Sequence, residues 1–447
     1  MTPEEPTTAL GSGPTVGGPA VPDPNSLEAT AQRISEMLSA IGAIGADSSG
    51  GVTRLAYTEP EREAHRIATV WLTELGFDVR EDPAGNTIAD DPTADGAAAR
   101  TVLGSHLDSV PRGGRFDGVA GVVAAVEVAR GLKARGLRLS HPLRIVCFAG
   151  EEGTRFGEPC LGSKAIAGLL SGTALNELAD EKGLTLGQAM GSVGLDPSRL
   201  AQARWANHDV AIFLELHVEQ ARVLEDQGVP LGLVDAVAGS TRFVLTVRGR
   251  ADHSGGALMG DRSDALAAAA EIVLAVESAG RDLAKEGLRA TVGRMAVEPN
   301  SLTTIPELVR LAVDVTHADG DRLRAVATSL VKTAGEICDH RGVQLDARVI
   351  ADSSPVILPT WVRQVATDAC GELGLEYRVI ESTSGRDSQI MSHLAPAGLI
   401  LVPSRHGLSH VPDEWTSSVD IARGVHLMIE WVTRLDQNLA RWEHKSG

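Results

Sequence analysis

The residues best suited to chemistry fall into four short clusters. Gly104–Ser109 (GSHLDS) offers His106 and Asp108, and Asp117 follows eleven residues after His106 on a Gly-rich loop that opens a helix. Ala149–Gly153 (AGEEG) sets Glu151 and Glu152 side by side. Glu215–Gln220 (ELHVEQ) carries His217, and Gly407–Glu414 (GLSHVPDE) carries His410. Imidazole nitrogens and carboxylate oxygens, with no thiolate among them, suit zinc, manganese, cobalt or nickel used catalytically rather than structurally. Five ligands (His106, Asp117, Glu152, His217 and His410), with the Asp117 carboxylate shared, suit two divalent ions. Such a pair activates a water and polarises a carbonyl oxygen. Adjacent carboxylates repel unless a cation is present, so Glu152 can bind metal while Glu151 stays free as a base. Asp108 is placed to orient the His106 ring from behind. Taken singly, the residues have plainer readings. His106 fits a strand-end histidine, Asp117 a helix N-cap, the glutamate pair a solvated acidic turn, and His410 a loop surface residue. The conjunction carries the argument.

The elements around the clusters explain why they should meet. Thr101–Ser105, Leu143–Phe148, Val210–Leu216 and Gly398–Val402 read as apolar strands, and each is followed by one of the clusters. Helical patterns run from Ser26, from about Glu59 to Leu75, over Val119–Leu132 and near Thr360–Leu373. Alternating strands and helices imply an α/β fold, a mixed, largely parallel sheet with flanking helices. In such sheets ligand sites lie beyond the carboxyl ends of the strands. The middle of the chain has another rhythm: strand Arg242–Arg250, helix Ser263–Val276, strands Leu288–Val297 and Leu308–Val315, helix Arg322–Ile337, strand Val343–Ile350. That order is a ferredoxin-like α+β unit. The expected division is a disordered tail over 1–25, a catalytic domain over 26–236 and 353–447, and an inserted domain over 237–352.

Length and composition narrow the classes. The 447 residues are too many for one ordinary core. Aromatics make up 3%, so the cores must be built from small aliphatic side chains. The net charge of −18 disfavours nucleic acid and anionic membranes as partners. No apolar run is long enough to span a bilayer, and the N-terminus lacks the pattern of a signal peptide. The four cysteines are scattered without a CxxC pair, which fits reduced thiols in a cytoplasmic protein.

The stretches GSHLDSVPRGGRFDGVAGV, FAGEEGTRFG, LELHVEQ, ADHSGG and GLSHVPDEW resemble the carbamoylase/allantoate amidohydrolase branch of the di-metal aminopeptidase-like clan. The resemblance runs from about Ser26 to Leu439. It implies one ion held by His106, Asp117 and His217, and another by Asp117, Glu152 and His410, with Asp117 bridging. It implies Glu151 as general base, and His253 of the inserted domain as a residue that reaches the partner subunit's site and stabilises the developing oxyanion. The inserted domain would then be a lid and the dimer interface. Gln220 and Arg262 are carried over as substrate contacts.

The substrate side departs from that pattern. Thr303 stands where the branch usually has Asn, and Thr316 where an Arg usually grips a substrate carboxylate. Arg386 replaces a usual His and is the candidate to supply the missing cation. The expected activity is hydrolysis of a linear amide or ureido C–N bond in a small molecule: an N-carbamoyl amino acid, a ureido acid or an allantoate-like compound. Two alternatives stay open. One is an N-acyl amino acid or other amide hydrolase whose substrate lacks the carboxylate; the other is a non-catalytic binding protein on the same fold.

Overall fold

The computed structural model describes residues 23, 25–93 and 99–446. Almost all of the stretch expected to be a disordered tail lies outside the described residues.

Thirteen strands are described: β1 (Asp78–Glu81), β2 (Thr87–Asp90), β3 (Arg100–His106), β4 (Leu143–Phe148), β5 (Val210–Val218), β6 (Gly232–Val237), β7 (Gly239–Arg248), β8 (Arg289–Glu298), β9 (Leu308–His317), β10 (Gln344–Ser353), β11 (Val356–Ile357), β12 (Arg378–Ser382) and β13 (Ala397–Val402). Nine form one sheet in the order β1-β2-β4-β3-β5-β13-β6-β11, with β12 also pairing β6. Its centre, β4-β3-β5-β13, is parallel. Those strands are apolar and buried on both faces, as a sheet covered on both sides requires. Toward one face Ile145, Leu214 and Ile400 pack with Val122, Val362 and Trp431 of the helices Val119–Ala134, Thr360–Leu373 and Ser418–Ser446. Phe148, Phe213 and Leu401 pack on the other face with Ile166 and Met391. The fold is thus the expected mixed α/β arrangement, with parallel strands where the clusters originate.

The second sheet is antiparallel throughout, in the order β10-β7-β9-β8. Helices Ala265–Asp282 and Gly320–His340 cover one face through a core that includes Phe243, Ile272, Leu311 and Leu330. Asp264 caps the first of these helices by accepting from Leu266 N and Ala267 N, so it begins two residues later than its apolar pattern suggests. The chain enters and leaves this sheet at neighbouring points: a Cβ on Gly239 would fall 2.6 Å from Pro355 Cδ. The opposite face of the sheet, with Ser240, Arg242, Asp314 and Thr316, looks onto the loop after β4 across a cleft.

Two features lay outside the periodicity argument. The hairpin β1-β2 consists of four-residue strands, too short to alternate visibly. The long helix Ser418–Ser446 is anchored by tertiary contacts, including Trp431 Nε1 donating to Val362 O at 2.8 Å. Among the described residues, no helix is long and apolar enough to cross a membrane.

Candidate metal centre

The strand ends bring the clusters to one edge of the large sheet. His106 is the last residue of β3, Glu151 and Glu152 follow β4, His217 is near the end of β5, and His410 lies on the loop after β13. Each side chain is held by backbone geometry that the local sequence dictates. Gly150 takes a φ of +64°, turning the chain sharply out of β4. Its amide donates to Glu61 Oε1 at 3.0 Å, and Ala149 N donates to Asn86 Oδ1 at 2.9 Å. Asp108 then accepts the amides of Glu151 and Glu152 at 2.9 and 3.1 Å, which ties the end of β3 to the turn after β4.

Two groups of ligand atoms result, His106/Asp117/His217 and Asp117/Glu152/His410, with the atoms of each within 4.8 Å of one another. Asp117 divides its oxygens between them. Oδ1 lies 3.1 Å from His217 Nε2 and 3.4 Å from His106 Nε2, while Oδ2 lies 3.3 Å from His410 Nε2. Glu152 Oε2 is 3.1 Å from the same His410 nitrogen. His217 Nδ1 donates to Val218 O at 3.0 Å, which fixes the ring with Nε2 facing Asp117 and His106. The two Nε2 atoms of His106 and His217 stand 3.5 Å apart. Glu152 Oε1 is buried without a partner, a costly state for an acceptor. Converging imidazole nitrogens and carboxylate oxygens, one of them orphaned, fit divalent cations. The Asp108 carboxylate lies 3.3 Å from His106 Nδ1, but that nitrogen makes no well-aligned hydrogen bond. The stronger positioning role of Asp108 is therefore on the Glu151–Glu152 backbone.

The electrostatics match this crowding. Burial opposes the charge on Asp117, yet the His217, His106 and His410 imidazoles hold its carboxyl well below the usual range. Glu152 is the main cause that lifts His410, to about 11. Burial works against a charged His106, but Glu151, Asp108 and Asp117 hold its pKa well above the ordinary value. Glu151 belongs to neither ligand group; its Oε2 is 3.6 Å from His106 Nε2. Burial pushes its pKa up to about 7, which suits proton transfer at neutral pH.

Several positioning residues escaped the sequence reading. Glu61 sits on a helix remote in sequence, and only its contacts to Tyr57 N and Gly150 N place it at the site. Glu414 Oε2 accepts Phe116 N and Asp117 N at 2.9 and 3.2 Å, and Oε1 accepts Ser409 Oγ at 2.6 Å. Glu215 accepts Ser105 Oγ and Ser388 N, both at 2.9 Å. Glu215 and Glu414 stood in the clusters as polar residues with no evident partner. Gly118 has a φ of +67°, and a Cβ there would fall on the His106 imidazole. Gly118→Ala is therefore expected to displace His106, costing about 1–3 kcal/mol from backbone strain alone and weakening metal binding. Thermal unfolding and metal content measured on the same preparation check this; a variant with unchanged metal content would contradict it.

The substrate-side candidates are scattered. Gln220, at a φ of +60°, bonds through Nε2 to Asp117 and Ser409 and accepts Arg386 Nη2 at 2.7 Å through Oε1. Thr316 lines the cleft beside Glu151 and Glu152. Arg386 lines it too but is 3% exposed, with its guanidinium turned to Gln220 and Val218 O. His253, Arg262 and Thr303 are gathered elsewhere. His253 is exposed, and its Nδ1 accepts Gly255 N and Gly256 N, each at 3.0 Å. Arg262 Nη2 donates to Ser254 O and Ala257 O at 2.6 and 3.0 Å, bracing that turn. Thr303 is exposed, and its carbonyl accepts Ser254 N.

Comparison with known proteins agrees with this architecture. The sequence profile of Peptidase family M20/M25/M40 matches residues 102–434. An N-carbamoyl-L-amino acid amidohydrolase of Geobacillus stearothermophilus is 37% identical over 407 residues, covering 91% of this chain and 98% of that protein. A ureidoglycolate hydrolase of Oryza sativa subsp. japonica is 33% identical over 388 residues, covering 86% of this chain and 80% of its own. The crystal structure of AtUAH in complex with glyoxylate superposes with a TM-score of 0.87 at 30% identity, covering 92% of this chain and 100% of that one. The chain therefore belongs to peptidase family M20/M25/M40, as an amidohydrolase of the branch that holds the carbamoylases and allantoate amidohydrolases.

Proposed function

We propose that the chain hydrolyses a linear ureido C–N bond in a small molecule: an N-carbamoyl amino acid, a ureido acid or an allantoate-like compound. The observation that carries this reading is Asp117, whose two oxygens serve two separate ligand groups. One zinc, manganese, cobalt or nickel ion would be held by His106, Asp117 and His217, and a second by Asp117, Glu152 and His410. When bound, two such ions would supply a lowered water pKa and polarisation of a substrate carbonyl. Glu151 takes the proton from the attacking water and returns it to the departing nitrogen. Asp108 keeps Glu151 and Glu152 in register through their backbone amides. A ureido substrate then yields ammonia, carbon dioxide and the free amine. Relatives named for the hydrolysis of N-carbamoyl-L-amino acids and of ureidoglycolate support this substrate class.

His253 acts in the site of a second copy of the chain. With Nδ1 accepting two amides, its proton sits on Nε2, ready to donate to a developing oxyanion. Residues 237–352 are the lid and the dimer interface. Leu258, Met259 and Leu302, exposed at 71, 78 and 100%, flank His253 and Thr303 and supply apolar surface for such a contact. All four cysteines are free and buried, which fits the cytoplasmic setting expected from the sequence.

Thr316 favours a second reading, an aminoacylase- or peptidase-like hydrolase of N-acyl compounds, among them amides that lack a carboxylate. The discriminating experiment incubates metal-loaded protein with N-carbamoyl amino acids, N-acyl amino acids and uncharged ureides, and measures ammonia and free amine separately. Equal amounts of ammonia and amine from a ureido substrate are expected. Amine without ammonia, from N-acyl compounds only, would transfer the function to the second reading. No product from any class would leave a binding protein.

A further inference from the structure

The cleft between the loop after β4 and the second sheet has an acidic wall, with Glu151 and Glu152, and an opposite wall formed by β7 and β9. A substrate carboxylate entering it meets two arginines, and the structure treats them differently. Arg386 is 3% exposed and its Nη2 already donates to Gln220. Arg242 projects from β7 with 28% of its side chain exposed. It pairs in register with Asp314 on β9, and its Nε donates to Asp314 Oδ1 at 3.1 Å. That bond fixes the guanidinium by one nitrogen and leaves the Nη1 and Nη2 edge for another acceptor. Nη1 reaches the loop itself: a Cβ on Gly153 would lie 2.8 Å from it. Gly153 directly follows Glu152, and Arg242 lines the same cleft as Glu151, Glu152 and His410. Thr316 sits two residues from Asp314 on the same strand face, paired with Ser240, two residues from Arg242. An arginine thus stands diagonally across from Thr316 on the neighbouring strand.

We propose that Arg242 binds the substrate carboxylate and makes the enzyme selective for ureido acids over uncharged ureides. A planar fork held at Nε is well suited to bidentate carboxylate recognition, and neither Thr316 nor a lysine reproduces it. The assignment rests on the ureido hydrolase reading, and the test separates the two.

The test compares wild type, Arg242→Gln and Arg242→Lys, all metal-loaded. Rates are measured on N-carbamoylglycine and on N-carbamoylglycinamide, which differ only in the carboxylate. Binding of succinate, which cannot be hydrolysed, is measured by calorimetry. Arg242→Gln is expected to lower kcat/KM for the acid by about 10- to 100-fold, the worth of hydrogen bonds to a charged group, with the amide changed by less than about 3-fold. Succinate should bind at least about 10-fold more weakly. Arg242→Lys keeps a charge but not the fork and should fall between; it carries the comparison if the Gln variant does not fold. Equal losses on acid and amide, or unchanged succinate binding, would overturn the proposal. Failure of wild type to release ammonia from either ureide, with succinate binding still dependent on Arg242, would sink the ureido reading while supporting the carboxylate site.

Discussion

Glu151→Gln should leave metal binding intact and lower kcat by about 10²- to 10⁴-fold, the usual range for a lost general base. The residue is buried at 7% exposure, and burial pushes its pKa up to about 7. It stands outside both ligand groups, 3.6 Å from His106 Nε2. Its backbone is pinned by Asp108, and the amide of glutamine occupies the same space. The exchange therefore removes a proton acceptor without disturbing a ligand. The check is kcat and metal per chain on one preparation. Unchanged turnover on the true substrate would sink the proton-transfer role. Loss of metal together with turnover would instead make Glu151 a ligand.

Asp117→Ala should cost both ions, because one substitution takes a ligand from each group. Oδ1 serves His106 and His217, and Oδ2 serves His410. Two ligands would remain on each side, fewer than the three protein ligands usual for a catalytic site. His410→Ala removes a ligand from only one group and should cost one ion. Under loading that saturates wild type, metal per chain should fall to near zero in Asp117→Ala and to about one in His410→Ala, with turnover falling in both. Asp117→Ala that still held two ions would refute the bridging role.

How much of this was legible depends on the kind of contact. The central strands were legible because LRIVCF and its counterparts are buried on both faces, and such strands advertise themselves as apolar runs. The meeting of His106, Asp117, Glu152, His217 and His410 was legible because parallel strands share a carboxyl edge, so clusters far apart in sequence must converge. Contacts that exist only in three dimensions were not legible. Glu61 lies 89 residues from the Gly150 amide it holds, and Arg242 lies 72 from Asp314. Arg386 was conspicuous as a charge, but its burial against Gln220 comes from the packing of loops, on which periodicity is silent. Thr316 pointed to a missing cation. Only strand register reveals that another arginine stands diagonally across from it.

The most direct test is to strip wild-type protein with a chelator, add back a divalent ion stepwise, and follow ammonia release from a ureido acid against ions bound per chain. Activity should be absent in the stripped protein and reach its maximum at two ions. Full activity in metal-free protein, or a maximum at one ion, would contradict the shared Asp117 and the hydrolysis built on it.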